Sequence, residues 1–397
     1  MAVADKRGQE DVPKVAWIND PKIRGLLYQA LLVIGIVFIG YNIVTNAIIN
    51  LERQNIASGF GFLDNTAGFA VTQSLIDYSE ESSYGQAFLV GFLNTLLIAI
   101  IGIFFATVLG FVIGIARLSS NWVISRIAYV YIEVVRNVPL LLQIFFWYFA
   151  VLRAVPNPRN SVEIPGSIFL NNRGLFMPRP VMGDGAGVVG IAVLVAIAII
   201  IVMARWARKR QMATGQQFHT FYVSLGILFG LPLIAFFAMG MPITLDFPAL
   251  KGFNFAGGMK VIPEFVGLLL ALSIYTASYI AEIVRAGILA VSHGQTEASY
   301  SLGLRPSPTL RLVIIPQAMR VIIPPLTNQY LNLTKNSSLA VAIAYPDLVS
   351  VFAGTVLNQT GQAVEVLSIT MLVYLALSLL TSLFMNWFNA RMALVER

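Results

Sequence analysis

Hydrophobic residues are grouped into long runs separated by short polar stretches, and this pattern predicts a helical membrane protein. A helix needs roughly 17–25 mostly apolar residues to cross the hydrocarbon of a bilayer. Clear candidate spans are Leu26–Ile49, Phe88–Ala116, Val188–Ala204, Phe221–Met241, Pro263–Val284 and Val366–Phe388. Two further runs, Ile127–Leu152 and Val321–Ala344, contain charged residues or prolines. The sequence therefore predicts an all-α polytopic membrane protein with about eight spans.

The run Ile127–Leu152 is interrupted by two charges. Its apolar part, Val138–Leu152, is too short to cross the hydrocarbon at about 1.5 Å per residue. We therefore expect one helix that begins near Ile127 and places Glu133 and Arg136 in its cytoplasmic half. A charge at mid-bilayer costs roughly 2.5–3.5 kcal/mol on insertion scales. Glu133 and Arg136 are thus expected to form a structural ion pair rather than a proton relay, with Pro139 as a hinge just beyond them.

The distribution of Lys and Arg predicts the orientation of the spans. One set of loops carries more than twice as many of these residues as the other set, and the more basic side is usually cytoplasmic. This places both termini and residues 285–320 in the cytoplasm, and residues 50–87 and 153–187 outside. The loop 153–187 is rich in Pro, Asn and Gly, which favours turns over regular structure. The basic run 205–210 is interpreted as a topology anchor, with anionic lipid as the alternative partner.

We divide the chain into segments on the basis of these spans. Residues 1–24 are predicted to form a cytoplasmic tail, since they lack the pattern of a signal peptide. Residues 25–87 contribute an extra span and an outer loop, and residues 88–397 form a transmembrane domain. Within that domain, residues 153–262 are an insertion with two extra spans, and residues 285–320 are a cytoplasmic loop.

The composition agrees with a membrane protein and argues against other classes. Apolar residues make up 57% of the chain and charged residues 11%, with a mean hydropathy of +0.77, whereas soluble domains carry about 25% charged residues. Cysteine is absent, which excludes disulfides and thiolate metal sites. His219 and His293 are too isolated to indicate a metal site. The net charge of +7 is attributed to basic cytoplasmic loops, so nucleic acid is not an expected partner.

A polar segment of the cytoplasmic loop has the most distinctive spacing in the chain. Glu297-Ala298-Ser299 is followed after three residues by Gly303, and after nine more by Val313-Ile314-Ile315-Pro316. The segment lies between strongly apolar helices, so it must leave the bilayer and face water. A long gap, a glycine and a proline in register make this spacing fairly specific.

The same segment carries signals for a short helix. Ser292 and Gln295 fit a capping box, Gly303 can end a helix in the left-handed conformation, and Pro306 cannot continue the helix. We expect a rigid helix on the membrane surface, with Glu297 near its start, that a partner protein grips. The alternative is an ordinary amphipathic loop. The predicted partner-facing residues are Gly294, Glu297, Ala298, Ser299 and Gly303.

A polar face within Val321–Ala344 is the candidate for solute contact. Asn328, Asn332 and Lys335 follow the helical spacing i, i+4 and i+7, and Gln329 adjoins them. Amides among apolar helices need hydrogen-bond partners, so this face is expected to line a cavity or to meet another helix. Such a face can bind the amino and carboxylate groups that all amino acids share. The alternatives are a hydrogen bond between helices and, for Lys335, a charge that reaches the outer interface.

A second polar face is predicted in the span Pro263–Val284. Tyr275, Ser278 and Glu282 share this face, and the two hydroxyl groups can contribute to the same solute cavity. Glu282 is followed three residues later by Arg285, which predicts a structural ion pair near the cytoplasmic end.

No enzymatic motif accompanies these features. The chain lacks a Gly-Lys dipeptide and therefore lacks a phosphate-binding loop, so uphill transport would need a separate ATPase or an ion gradient. With an ion gradient, the chain would be a secondary amino acid carrier in which Glu133, Glu282 and Lys335 bind ions or titrate. A third possibility is a structural membrane subunit without a solute path.

Several motifs outside the Glu297 segment point to one family. They are Gly91 to Leu96, Glu133 to Gln143, Tyr279 to Ile288, Gly294 to Ala298, Pro324 to Gln329 and Lys335 to Leu339. From Phe88 onward the chain thus resembles the permease subunits of type I ABC importers for polar amino acids. It departs from the family pattern at Ser299, Val313 and Ile315. Family members usually have a five-span core, and the three extra spans make this chain similar to the long permeases of general L-amino-acid uptake systems.

The resemblance implies a function and a set of partners. It implies a subunit that moves L-amino acids by alternating access, with both termini cytoplasmic in the bacterial inner membrane. ATP and Mg would be bound by two copies of a separate ATPase that contact the segment around Glu297, and this chain would hold no cofactor. A second, different permease and a periplasmic amino-acid-binding protein would complete the importer.

Overall fold

The computed structural model describes residues 21–53 and 59–392. Most of the predicted tail 1–24 lies outside the described residues. The α-helices are α1 (Pro21–Arg53), α2 (Tyr84–Arg117), α3 (Trp122–Asn137), α4 (Leu140–Phe145), α5 (Ala186–Thr214), α6 (Thr220–Ala238), α7 (Pro263–Leu289), α8 (His293–Ser301), α9 (Pro306–Thr309), α10 (Ile315–Asn336), α11 (Leu357–Thr360) and α12 (Ala363–Met392).

The predicted helical membrane fold is confirmed. Seven helical segments in the described ranges are long and apolar enough to cross a membrane: α1, α2, α5, α6, α7, α12 and Pro306–Ile343, which contains α9 and α10. Each coincides with a predicted span, because a long apolar run can satisfy its backbone polar groups in lipid only as a helix. Some helices extend past the predicted bounds into polar sequence. For example, α5 includes the basic residues 205–210 and ends at Gly215, whose φ is 72°.

The expectation of one continuous helix over Ile127–Leu152 is wrong. Helices α3 and α4, the latter continued by a π-helical segment over Phe146–Leu152, meet at an angle of 106°. Pro139 lacks an amide hydrogen and holds Val138 in an extended conformation, with φ −98° and ψ 127°. The side chain of Gln143 stabilises the bend, since its Nε2 donates to the carbonyls of Val135 at 2.8 Å and Val138 at 2.9 Å.

The core of the bundle is formed by the close parallel packing of α2 against α7, with α10 on the same core. The contact face of α2 carries small residues at intervals of four: Gly102, Ala106, Gly110 and Gly114. A Cβ added to Gly114 would lie 2.7 Å from the carbonyl oxygen of Ala281 and 2.9 Å from Cβ of Val284. Small residues allow helix backbones to approach this closely in a membrane protein.

The loops 153–187 and 239–262 contain short strands, which corrects the prediction that the first of them would be irregular. The strands are β1 (Val162–Ile164), β2 (Ile168–Asn171), β3 (Gly174–Met177), β4 (Arg179–Met182), β5 (Ile243–Asp246), β6 (Ala249–Lys251), β7 (Asn254–Ala256) and β8 (Met259–Val261). They form a sheet in the order β1-β2-β3-β8 and the pairs β4-β5 and β6-β7. Because β3 pairs with β8 and β4 with β5, each loop supplies only part of the structure.

The bundle has two distinct ends. Helices α2 and α7 begin at the end that carries the strands and residues 59–83, which we call the strand end, and they run towards α8 at the opposite end. Helices α5 and α6 form an antiparallel hairpin, and no residue of α6 is buried. The described side chains of α1 are exposed or only partly buried along the whole helix.

Candidate functional site

The short helix predicted around Glu297 is present as α8. It begins after Ser292, and Gly303 follows it with φ 78°, the left-handed conformation that the sequence predicts. The expected capping box is absent, because the side chain of Ser292 makes no cap hydrogen bond. Oε1 of Gln295 instead accepts a hydrogen bond from Nε2 of Gln317 at 3.2 Å, which connects α8 to α10. Helix α8 is therefore attached directly to a core helix.

Four of the five predicted partner-facing residues are exposed on α8 or directly after it. Gly294, Glu297, Ala298 and Gly303 are exposed. Glu297 lies in the middle of the helix rather than near its start, and its Oε1 is 3.1 Å from Nδ1 of His293. These exposed groups leave the outer face of α8 open to a partner.

Ser299 differs from the other four residues. Its side chain is 4% exposed and its Oγ donates to the carbonyl of Gln295 at 2.6 Å, so Ser299 faces its own chain and the prediction that it contacts a partner is corrected. Two apolar side chains next to it are turned outward instead, since Tyr300 is 49% exposed and Leu302 is 81% exposed.

The amide face of α10 is exposed, as its helical spacing indicates. Asn328, Asn332 and Lys335 are exposed and Gln329 is half-buried, and among the described residues their side chains have no hydrogen-bond partner. The opposite face of α10 is buried in the core through residues such as Leu333. Lipid cannot satisfy unpaired amides. This face must therefore lie against water or against another protein surface.

The residues predicted on α7 differ in accessibility. Ser278 is fully buried, and its hydroxyl donates to the carbonyl of Tyr275 at 2.6 Å. The expected contact between Ser278 and solute is therefore not available in this structure. The hydroxyl oxygens of Tyr275 and Tyr279 are 3.1 Å apart, and the guanidinium of Arg136 lies 5.0 Å from the centre of the Tyr279 ring. Helix α7 thus presents a tyrosine pair next to a cation.

The structure brings together one of the two predicted ion pairs. Nε of Arg285 donates to both carboxylate oxygens of Glu282, at 3.0 and 3.1 Å. Within residues 21–53 and 59–392, no ion pair joins Glu133 to Arg136, because Arg136 turns towards α7 and Glu133 remains exposed. In the same ranges, no group of three or more His, Asp or Glu side chains is placed to hold a metal ion.

A buried polar cluster near the strand end was missed by the sequence analysis. The carboxylate of Asp347 is fully buried, and its Oδ1 accepts from the amide of Ser350 at 2.8 Å. Nearby, Nδ2 of Asn94 donates to the carbonyl of Pro346 at 2.9 Å, and the amide of Leu348 donates to Oγ1 of Thr95 at 3.0 Å. Burial raises the pKa of Asp347 to about 7. The sequence signal that could have indicated this cluster is an aspartate directly after a proline, between two apolar helices.

Comparison with known proteins identifies the family. Residues 212–394 match the model described as "Binding-protein-dependent transport system inner membrane component". The chain is 57% identical to the general L-amino acid transport system permease protein AapQ of Rhizobium johnstonii, over 95% of this chain and 94% of that protein. It is 54% identical to the putative amino-acid ABC transporter permease protein YhdX of Escherichia coli, over 95% and 96% of the two chains.

A more distant relative covers the same length. The chain is 41% identical to the glutamate/glutamine/aspartate/asparagine transport system permease protein BztB of Rhodobacter capsulatus, over 98% of this chain and 99% of that protein. All three relatives extend over the N-terminal helix and the insertion as well as the core. The chain therefore belongs to the family of inner membrane components of binding-protein-dependent transport systems and is a multi-pass ABC transporter permease subunit.

Proposed function

We propose that this permease carries L-amino acids through a path lined by the exposed amide face of α10. The observation that carries the proposal is that Asn328 and Asn332 are exposed on a helix of the bundle core, with no hydrogen-bond partner among the described residues. Amide groups bind both the ammonium and the carboxylate of an amino acid, whatever its side chain. Gln329 adjoins Asn328 on the same helix, and Tyr275 of α7 is proposed as a further contact of the solute.

A second permease is proposed to cover the other side of the path. One chain leaves the amide face and Lys335 exposed, and a membrane-embedded polar surface is stable only when protein or water covers it. We propose that the second permease is a homologous but different chain. The exposed face of α10 would then lie at the interface of the two permeases, and each permease would supply part of the lining.

The coupling helix α8 is proposed to be the contact with an ATPase subunit, which binds ATP and Mg in place of this chain. Its support is the exposed surface that contains Glu297, Tyr300 and Leu302 together with the hydrogen bond from Gln317 to Gln295. A force on α8 would reach α10 through this contact. In the proposed orientation both termini and α8 are cytoplasmic, and a periplasmic amino-acid-binding protein delivers solute at the strand end.

Reconstitution tests the proposal directly. Proteoliposomes that contain the permease pair and the ATPase are expected to accumulate L-amino acids only when ATP is present on the α8 side and the binding protein on the other. Asn328→Leu with Asn332→Leu is expected to reduce uptake at least about tenfold, since two hydrogen bonds to charged groups contribute about 1.5–3 kcal/mol each.

Asn42→Leu is the matched control for these substitutions. Asn42 lies on α1 and donates to the carbonyl of its own helix at Phe38, at 2.8 Å, so uptake should stay unchanged. Uptake by this chain alone under an ion gradient without ATPase would contradict the proposal and favour a secondary carrier. Unchanged uptake and selectivity in the α10 variant would remove the amide face from the path.

A further inference from the structure

A concave pocket at the strand end combines residues of the core with residues of the insertion. Its volume is about 320 Å³, which is near the lower end of the range for small-molecule sites, about 300–1,000 Å³. The pocket has the size of a metabolite site rather than of a peptide groove. The residues that decide its chemistry are Tyr148, Arg153, Arg173, Lys260 and Glu264.

The pocket exists because several distant segments converge. Arg153 follows the π-helical segment after α4, Arg173 lies in the turn between β2 and β3, and Lys260 lies in β8. Glu264 lies in the first turn of α7, where the helix dipole favours a negative charge. Since β3 pairs with β8, the sheet holds Lys260 and the turn that carries Arg173 beside the start of a core helix.

The charges in the pocket are unbalanced. Three cations and one carboxylate line it, and none of the three cations forms an ion pair within the described ranges of the chain. Glu264 is held in place by its Oε1, which accepts from the hydroxyl of Tyr148 at 2.7 Å, and that hydroxyl accepts from Nη2 of Arg153 at 3.2 Å. One carboxylate oxygen of Glu264 and most donors of the cations therefore remain free for a ligand.

The ligand that fits this arrangement is an anionic amino acid. Guanidinium groups bind carboxylates in a bidentate manner, and Lys260 adds a point charge. The free oxygen of Glu264 can accept from an ammonium group. A zwitterion with a second carboxylate places two anions among the three cations and its ammonium at Glu264, which reduces the excess positive charge of the pocket.

We infer that the pocket lined by Arg153, Arg173, Lys260 and Glu264 is a binding site for a free dicarboxylic amino acid at the strand end of the bundle. The ligand class rests on the proposed function, because an amino acid is taken as the transported solute. The site is separate from the amide face of α10 and is formed in part by the insertion. It would hold acidic solutes at the mouth of the path before they enter.

Equilibrium binding tests this inference. The probe is radiolabelled L-glutamate, and the sample is the permease–ATPase complex in nanodiscs, without ATP and without binding protein. Asn328→Leu and Asn332→Leu are present throughout to remove the α10 face. Lys260→Gln and Arg173→Gln are each expected to raise the dissociation constant about tenfold, equivalent to about 1.4 kcal/mol.

Lys251→Gln is the matched control. Lys251 is also an exposed strand lysine of the insertion, in β6, but it does not line the pocket. It should leave the dissociation constant unchanged. L-lysine should not compete with L-glutamate, and glutarate, which lacks the ammonium group, should compete more weakly than L-glutamate. Raising the salt concentration from about 0.1 M should weaken binding, since the cations are exposed.

Several results would overturn the inference. Equal affinities in the Lys260→Gln and Lys251→Gln proteins would do so, as would competition by L-lysine as strong as that by L-glutamate. A loss of binding-protein docking in Lys260→Gln with unchanged L-glutamate binding would show that the cations bind acidic side chains of a protein instead. ATP-driven uptake is measured separately with the wild-type α10 face. Normal ATP-driven uptake, together with L-glutamate binding that Lys260→Gln does not weaken, refutes only this site. L-glutamate binding without any ATP-driven uptake refutes the proposed function.

Discussion

Helices α7 and α6 are both apolar enough to span a membrane, but their surroundings are opposite. More than half of the residues in the membrane-spanning part of α7 are buried in the protein. In the corresponding part of α6, no residue is buried. The less hydrophobic of the two is the one in the core. Helix α7 buries small residues such as Ser278 and Gly287, and Gly287 lies against Ile322 of α10, while the exposed side chains of α6 are mostly large and apolar.

This contrast shows what burial in a membrane protein requires. Lipid is as apolar as leucine, so hydrophobicity alone does not bring helices together; small residues and hydrogen-bonding groups do. The core helices α2, α7 and α10 have both, and they carry the amide face and the connection to α8. The spanning parts of helices α1, α5 and α6 are strongly apolar, which suits contact with lipid.

The largest expected effect follows from breaking the small-residue contact between α2 and α7. Gly114→Leu should prevent normal folding, because its Cβ would lie 2.7 Å from the carbonyl oxygen of Ala281 and the two helices would have to separate. The measurement is the amount of monodisperse protein on size exclusion in mild detergent. Gly40→Leu in α1, where an added Cβ meets nothing within 4 Å, is the control and should leave that amount unchanged. A normal yield of Gly114→Leu would contradict the packing described here.

Two leucine-to-alanine substitutions measure the difference in burial between α7 and α6. Leu268 in α7 is fully buried, and Leu268→Ala should lower the free energy of unfolding by about 2–5 kcal/mol. Leu233 in α6 is 55% exposed, and Leu233→Ala should change it by less than about 0.5 kcal/mol. Both are read from denaturant unfolding in the same lipid–detergent mixture. Equal effects of the two truncations would show that α6 is packed against protein.

A smaller effect is expected from the buried carboxylate. Burial raises the pKa of Asp347 to about 7, compared with about 3.9 in an unfolded chain. The folded state therefore favours the protonated form, so the stabilising contribution is complete at pH values below the unfolded pKa and is lost as the pH rises through 7. Between pH 5 and 8 the free energy of unfolding should fall by roughly 2 kcal/mol on this account.

Asp347→Asn should remove this pH dependence. The measurement is the unfolding midpoint of both proteins at several pH values between 5 and 8. Asp64→Asn, in the exposed segment before α2, serves as the control and should retain the slope of the wild type. If the unfolding midpoint of Asp347→Asn depended on pH as strongly as that of the wild type, another group would be responsible for the pH dependence.

The sequence predicted those features that depend on neighbouring residues. The spans follow from local apolar runs, the amide face of α10 follows from helical spacing, and the left-handed conformation of Gly303 follows from the absence of a Cβ. For the same reason the Glu282–Arg285 contact could be foreseen, since both residues lie one turn apart on a single helix.

Features that depend on distant contacts were not predictable in this way. The strands pair across the α5–α6 hairpin, so neither loop alone shows a complete pattern. Pro139 indicates a weak point, but the bend of 106° also depends on the side chain of Gln143. Ser278 was expected to face the solute and Ser299 a partner protein, but both side chains point inward. Helical spacing gives a shared face but does not say what covers it.

The function of α8 is the central claim, and charge reversal at Glu297 tests it most directly. ATP-driven uptake and co-purification of the ATPase are measured for Glu297→Lys, with Glu81→Lys at the strand end as the matched control. We predict that Glu297→Lys inserts and purifies normally but loses uptake and retains little ATPase, while the control keeps both. Normal uptake together with normal retention of the ATPase in Glu297→Lys would contradict the account.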